Sequence, residues 1–233
     1  MSAAAVPLMI GCAEPERNVG RVDAGATLVE TAASAETQGT VLFLGTSLTA
    51  GYGLPESEAF PARVQENIDE ANLPYRVANA GVSGETSAGA RRRTAWLLRQ
   101  PFDVLVLETG ANDMLRGADL DSTRANIDAI IQQVRAERPE AEIVLVGMMA
   151  PPNMGPEYTE RFARIFVELA ETYDLPLVPF LLDGVGGVAE MNLTDGIHPN
   201  SEGQRIVARN VWEVLEPELR RRSAGRQPGA VGS

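Results

Sequence analysis

Short apolar runs alternate with helix-period segments between residues 41 and 221, and that alternation restricts the fold more than any other feature of the chain. Val41-Leu42-Phe43-Leu44 ends at Gly45 and reads as a buried strand. Ala59 to Ala71 places Phe60, Val64 and Ile68 on one helical face. Tyr75 to Ala78 is a second strand, and Ser87 to Arg99 a helix. Asp103 to Glu108, Glu142 to Met148 and Leu175 to Phe180 are three more strands. Ser122 to Glu137 and Tyr158 to Tyr173 are the helices between them, and Ser201 to Arg221 closes the chain as a helix. Strict β-α alternation with near-continuous apolar strands calls for a parallel sheet covered on both faces. Right-handed crossovers make that sheet the centre of a doubly wound three-layer αβα sandwich.

One core suffices for a chain of 233 residues that is 44% apolar. The domain is expected over residues 40–222, after an N-terminal segment of residues 1–39 and before a flexible Gly/Ala/Ser/Pro tail of residues 223–233. Trp96 and Trp212 read as core aromatics, and Arg91-Arg92-Arg93 as a solvated helix face. Ala3 to Ile10 is too short to span a bilayer but has the length of a signal-peptide apolar region. Met9-Ile10-Gly11-Cys12 resembles a bacterial lipobox, although no basic residue precedes Arg17. That pattern points to the bacterial cell envelope, periplasmic or anchored to a membrane through a lipidated Cys12; without it the expected place is the cytoplasm.

Charge narrows the partners. The net charge is −12, so neither nucleic acid nor an anionic membrane surface is an expected partner. Every basic residue is Arg. The absence of Lys removes Schiff-base chemistry, a phosphate-loop lysine and a lysine general base. The chain has a single His, His198, and a single Cys. Intramolecular disulfides and Cys-rich zinc sites are therefore excluded.

In a doubly wound sheet, ligands bind beyond the carboxyl ends of the strands. The first strand is followed by Gly45-Thr46-Ser47-Leu48-Thr49-Ala50-Gly51-Tyr52-Gly53, the second by Asn79-Ala80-Gly81-Val82-Ser83-Gly84. Thr109-Gly110-Ala111-Asn112-Asp113 follows the third, and Asp195-Gly196-Ile197-His198-Pro199-Asn200 lies past the fifth. A Ser hydroxyl needs a base, and His198 is the only imidazole available. Asp195, three residues earlier, can hold its tautomer if Gly196 turns the chain tightly. Tetrahedral intermediates need donors aimed at the oxyanion. The backbone N–H groups of Ser47 and Gly84 and the side-chain amide of Asn112 can supply three. Plainer readings exist beside these: Ser47 as a helix N-cap, Asn112 as a turn former, and Asp113 as a residue bonding its own turn.

Together the segments resemble the four blocks of the SGNH/GDSL hydrolase superfamily over roughly residues 40 to 220. Gly45-x-Ser47-Leu48 resembles the nucleophile block, Gly84 the second-block glycine, Gly110-x-Asn112-Asp113 the third block and Asp195-x-x-His198 the last. Gly45-x-Ser47-Leu48-Thr49-Ala50-Gly51-Tyr52 and Asn112-Asp113-x-Leu115-Arg116-Gly117 look like the bacterial thioesterase, lysophospholipase and arylesterase branch. The resemblance implies a flavodoxin-like sandwich with strand order 2-1-3-4-5. It implies a serine hydrolase of esters or thioesters that needs no metal and no cofactor. It carries over a Ser47–Asp195–His198 triad and an oxyanion hole of Ser47, Gly84 and Asn112. It also makes the loop after the fourth strand a border of the acyl groove, with Pro151, Asn153, Met154 and Tyr158 as candidate substrate contacts. Leu181 to Met191, rich in Gly, is a lid candidate. Arg116 can meet an anionic head group or make an ordinary surface ion pair. The superfamily's usual Asp between Gly and Ser is Thr46 here, which keeps a donor and an acceptor but loses the charge.

The substrates expected are short- to medium-chain acyl esters, aryl esters and thioesters. A carbohydrate or peptidoglycan O-acetyl esterase and a non-catalytic binding module on the same fold are the rival readings. A receiver is disfavoured by the Ser in the first loop and the missing Lys. A dinucleotide binder is disfavoured because the glycines do not space as G-x-G-x-x-G.

Overall fold

The computed structural model describes residues 39–226. Cys12 with its lipobox-like surroundings, the linker before residue 39 and the tail beyond residue 226 lie outside the described residues. Within them the elements alternate as the sequence dictates. Strands β1 (Gly39–Gly45), β2 (Tyr75–Gly81), β3 (Val104–Glu108), β4 (Glu142–Val146) and β5 (Leu177–Val178) form one parallel sheet in the order 2-1-3-4-5. Its helices are α1 (Ser47–Ala50), α2 (Phe60–Glu70), α3 (Ser87–Leu97), α4 (Ala111–Leu115), α5 (Leu120–Glu137), α6 (Pro156–Tyr173) and α7 (Ser201–Arg226).

The central strands are apolar on both sides because both sides are covered. Val41, Phe43, Val104, Val106, Val144 and Val146 are buried on one face, and Leu42, Leu44, Leu105, Leu107, Ile143 and Leu145 on the other. Helices α2 and α7 pack together, as do α3 and α5, with α6 against α5 and the β4–β5 side of the sheet. The helical faces follow from spacing: Phe60, Val64 and Ile68 in α2, and Ile127, Ile130, Ile131 and Val134 in α5, are buried. Phe43 and Phe60 meet edge to face at 5.6 Å and join β1 to α2. Helix α2 has no side-chain cap of its own. Gln204 of α7 supplies the missing acceptor, taking the Phe60 N–H at 2.8 Å.

Several boundaries and environments differ from the sequence reading. Two short helices, α1 and α4, follow the first and third strands and were not foreseen; each is a single turn on a Gly-bearing segment. Strand β5 pairs over two residues rather than six, since Pro176 and Pro179 bracket it and lack the ladder N–H. The last helix runs on to Arg226, past the expected end at Arg221. Trp96 is not core but 59% exposed. It stands over a groove of about 410 Å³ lined also by Leu42, Ala78, Ala80 and Phe102. The physical reason is that β2 is an edge strand. Trp212 is partly buried against the core as expected. Leu181 and Val185 are fully buried, and Asn210 binds the carbonyls of Leu181 and Asp183. The lid candidate is thus packed into the domain at its first half.

Truncating Phe60 to Ala should cost about 3–5 kcal/mol, because it removes a fully buried ring whose partner, Phe43, cannot follow. Urea unfolding of the wild type and the variant measures it; a loss below about 1 kcal/mol would contradict this packing.

Candidate active site

The site forms where the carboxyl ends of β1, β2 and β3 meet the segment before α7. Ser47 opens α1 directly beyond β1. Its Oγ lies 2.9 Å from Nε2 of His198. His198 Nδ1 lies 2.7 Å from Oδ2 of Asp195. A short hairpin presents both residues: Leu193 N–H donates to the His198 carbonyl at 2.7 Å, and Asn192 bridges antiparallel to Pro199. Gly196 turns the hairpin with a φ of 68°, a left-handed conformation that favours glycine. Asp195 therefore reaches back to its own loop, and its Oδ1 accepts the N–H groups of Ile197 and His198.

Those bonds set the electrostatics. The His198 backbone N–H, the His198 side chain and the Ile197 N–H together hold the Asp195 carboxyl down at about 2. Asp195 therefore stays ionised through the range in which an imidazole titrates. An ionised Asp195 keeps the proton on Nδ1 and leaves Nε2 free to accept from Ser47.

The other predicted donors lie nearby. Asn112, in α4, donates from Nδ2 to the Glu85 carbonyl at 3.0 Å, which ties it to the Gly84 loop and leaves a second amide N–H. Gly84 is held by Arg116, whose guanidinium donates to the Gly84 carbonyl at 2.8 Å. Arg116 thus braces the loop and makes no ion pair among the described residues. Arg93 is likewise not a solvated charge. It pairs with Glu85 at 2.7 Å and donates to the Gly45 carbonyl, so it links the Gly84 loop to the end of β1. Arg91 and Arg92 are exposed as expected. Asp113 does not bond its own turn. It accepts the Ser87 N–H and hydroxyl at 2.7 and 2.6 Å, tying α4 to the start of α3.

The loop after β4 divides the four candidate substrate contacts. Pro151 and Asn153 are exposed. Met154 and Tyr158 are partly buried and pack on the core. The Tyr158 hydroxyl is buried without a hydrogen-bond partner among the described residues, and burial followed by the Asp113 charge raises its pKa.

Two neighbours of Ser47 and His198 were not legible as such in the sequence. Tyr52 stacks on His198, ring centroids 4.4 Å apart. Glu108, the last residue of β3, is fully buried beneath the Thr46–Ser47 turn. It accepts the Thr46 N–H at 2.7 Å, the Thr46 hydroxyl at 2.9 Å and the Thr49 hydroxyl at 2.8 Å. Thr46, where the superfamily's usual residue is Asp, is therefore a donor into a buried carboxylate. The apolar period of β3 hides Glu108, because an acid at a strand end ordinarily faces water.

Comparison with known proteins identifies the family. Residues 43–206 match the GDSL-like lipase/acylhydrolase family. Esterase TesA of Pseudomonas aeruginosa is 41% identical over 181 residues, 77% of this chain and 89% of that protein. Thioesterase 1/protease 1/lysophospholipase L1 of Escherichia coli K12 is 38% identical over 180 residues, 76% of this chain and 84% of that protein. The crystal structure of the psychrotrophic esterase EstA from Pseudoalteromonas sp., inhibited by monoethylphosphonate, superposes with a TM-score of 0.72 at 32% identity. That match covers 78% of this chain and 99% of the EstA chain.

Burial, countered by the Thr46 and Thr49 donors, raises the Glu108 pKa above its ordinary 4.5. Its proton is then bound more tightly in the folded state. The stability it contributes is full below pH 4.5 and is lost as pH rises through the folded-state value. Glu108→Gln should flatten that decline, read as the urea midpoint from pH 4 to 8. Thr46→Asp should instead steepen it, by setting a second carboxylate against Glu108. Parallel pH profiles in all three proteins would contradict the assignment.

With a five-stranded sheet in the order 2-1-3-4-5, a Ser–His–Asp chain at its carboxyl edge and these relatives, the chain belongs to the GDSL-like lipase/acylhydrolase family, the SGNH hydrolases, and is a carboxylic ester hydrolase.

Proposed function

We propose that Ser47 is the nucleophile, His198 the general base and acid, and Asp195 the residue that orients His198. The observation that carries this reading is the unbroken line from Ser47 Oγ to His198 Nε2 at 2.9 Å and from Nδ1 to Asp195 at 2.7 Å. Ser47 Oγ attacks the acyl carbonyl as its proton passes to Nε2. The carbonyl oxygen gains negative charge, and the N–H groups of Ser47 and Gly84 and the amide of Asn112 take it up. Each such donor is worth about 10²–10³ in rate. The imidazolium then returns its proton to the departing alcohol or thiol as the acyl–oxygen or acyl–sulfur bond breaks. Water, deprotonated by the same imidazole, attacks the acyl-enzyme and releases the acid.

The substrates in this reading are short- to medium-chain acyl esters and thioesters. The names of the relatives, esterase and thioesterase 1/lysophospholipase L1, support that class. A place in the bacterial cell envelope, through lipidation of Cys12, is supported by the Met9-Ile10-Gly11-Cys12 pattern alone. Incorporation of labelled palmitate by the full chain, lost in Cys12→Ser, checks it.

Hydrolysis of p-nitrophenyl esters from acetate to palmitate should vanish in Ser47→Ala. Asp195→Asn should lower kcat by about 10⁴, since the amide leaves the wrong tautomer on His198. A sharp acetate optimum would favour a deacetylase over an acyl esterase. Asp195 should stay ionised on acidification until pH approaches about 2, read from the NMR shift of its carboxyl carbon. Residual turnover of Ser47→Ala near the wild-type level would overturn the assignment.

A further inference from the structure

The groove beside Trp96 follows from the composition of the edge strand. In the parallel register Thr40, Leu42 and Leu44 of β1 stand beside Arg76, Ala78 and Ala80 of β2, so all of them share one face of the sheet. Leu42 and Leu44 are buried there, whereas Ala78 and Ala80 are only half-buried. Two methyl groups leave a hollow against Leu97, Phe102 and the Trp96 ring, about 410 Å³ in volume, within the range of small-molecule sites. Trp96 keeps 59% of its surface in water beside this floor. None of Ser47, Gly84, Asn112 and His198 lines the groove.

The edge of β2 is closed to another strand. Gln65 accepts the Val77 N–H at 2.6 Å and donates to the Tyr75 carbonyl at 3.2 Å, and Asn79 Oδ1 accepts the Gly81 N–H at 2.9 Å. A peptide or a second copy that paired there would need those outward groups. The charge of the groove is selective too. Arg76 and Arg93 line it and no acid does, in a chain with 32 acidic residues against 20 basic. Arg93 is already paired with Glu85. Arg76 donates from Nε to Thr40 Oγ1 at 3.2 Å, which holds it at the amino end of the Ala78–Ala80 floor. It makes no ion pair among the described residues. An apolar floor with an unpaired guanidinium at its end is complementary to an alkyl chain that ends in a carboxylate.

We propose that this groove is a second ligand site, apart from Ser47, that binds a medium-chain carboxylate. The carboxylate pairs with Arg76, and the chain lies over Ala78 and Ala80 against Trp96 and Phe102. Binding needs no turnover, so the site stands independently of the serine-esterase reading. Under that reading its ligand belongs to the class of acid that the reaction releases.

Trp96 is also the reporter. In full-length Trp212→Phe protein it is the one indole left. Decanoate, below its micellar concentration, should shift the Trp96 emission saturably to the blue as the ring loses water. Affinity should rise about two- to fourfold per methylene from hexanoate to decanoate. Decanoate should bind more tightly than decanol by about two- to fivefold, the size of an exposed ion pair, and Arg76→Gln should bring that ratio to about 1. Ala78→Leu, which fills the floor, should abolish the shift; should it fold poorly, Arg76→Gln on the exposed rim carries the test. Calorimetry on the wild type and Arg76→Gln repeats the comparison without the reporter. No saturable shift with decanoate, an undiminished shift in well-folded Ala78→Leu, or equal binding of decanoate and decanol overturns the site. A shift on concentrating the ligand-free protein would make the groove a contact between copies. A shift with anionic phosphatidylglycerol vesicles but not with decanoate would make it a membrane contact. Either result overturns the assignment.

Discussion

A carboxyl group with no access to water lies under the turn that carries Ser47. Glu108 ends β3 inside the sheet, and the turn that leaves β1 folds over it. An ionised group there is costly unless it is met by donors. The Thr46 N–H and the Thr46 and Thr49 hydroxyls are those donors, and Thr46 immediately precedes Ser47. Bonding of the turn to Glu108 therefore fixes the backbone from which the Ser47 side chain and N–H project. A Thr at position 46 makes this a hydroxyl–carboxyl contact with a single acidic partner. That explains how the turn is held without the superfamily's usual Asp.

From that anchor the remaining groups are positioned by polar bonds more than by packing. The Gly84 loop is exposed, and its place is set by Arg116 on the Gly84 carbonyl, Asn112 on the Glu85 carbonyl and Arg93 on Glu85. The His198 hairpin is held by its own ladder and by the Asp195 turn. A rigid sheet edge thus carries loops whose geometry depends on a few charge-assisted hydrogen bonds. Tyr52 adds an aromatic contact between the nucleophile turn and the imidazole.

Much of this was written in residue types. The buried strands are Val- and Leu-rich runs that admit little else, and parallel order follows from the helices between them. With one imidazole in the chain, His198 and the nearby Asp195 left little choice of base and orienting acid. What escaped reading depends on tertiary neighbours. Glu108 ends an apolar run, and only the folded sheet shows that the next turn covers it. Arg93 looked like part of a basic run until Glu85 and the Gly45 carbonyl came beside it. Helical spacing placed Trp96 on a face, but not the open edge of β2 that leaves that face uncovered. Pro176 and Pro179 carried the signal that would have shortened β5.

In the proposed mechanism Ser47 takes up an acyl group with its oxyanion facing the donors of Ser47, Gly84 and Asn112. A crystal structure after reaction with an alkyl phosphonate tests it most directly, since the tetrahedral phosphorus mimics the intermediate. Phosphorus bonded to Ser47 Oγ is predicted, with one oxygen about 2.7–3.1 Å from the two N–H groups and from Asn112 Nδ2. Phosphorus on another residue, or an oxygen turned to solvent away from Gly84 and Asn112, would contradict it.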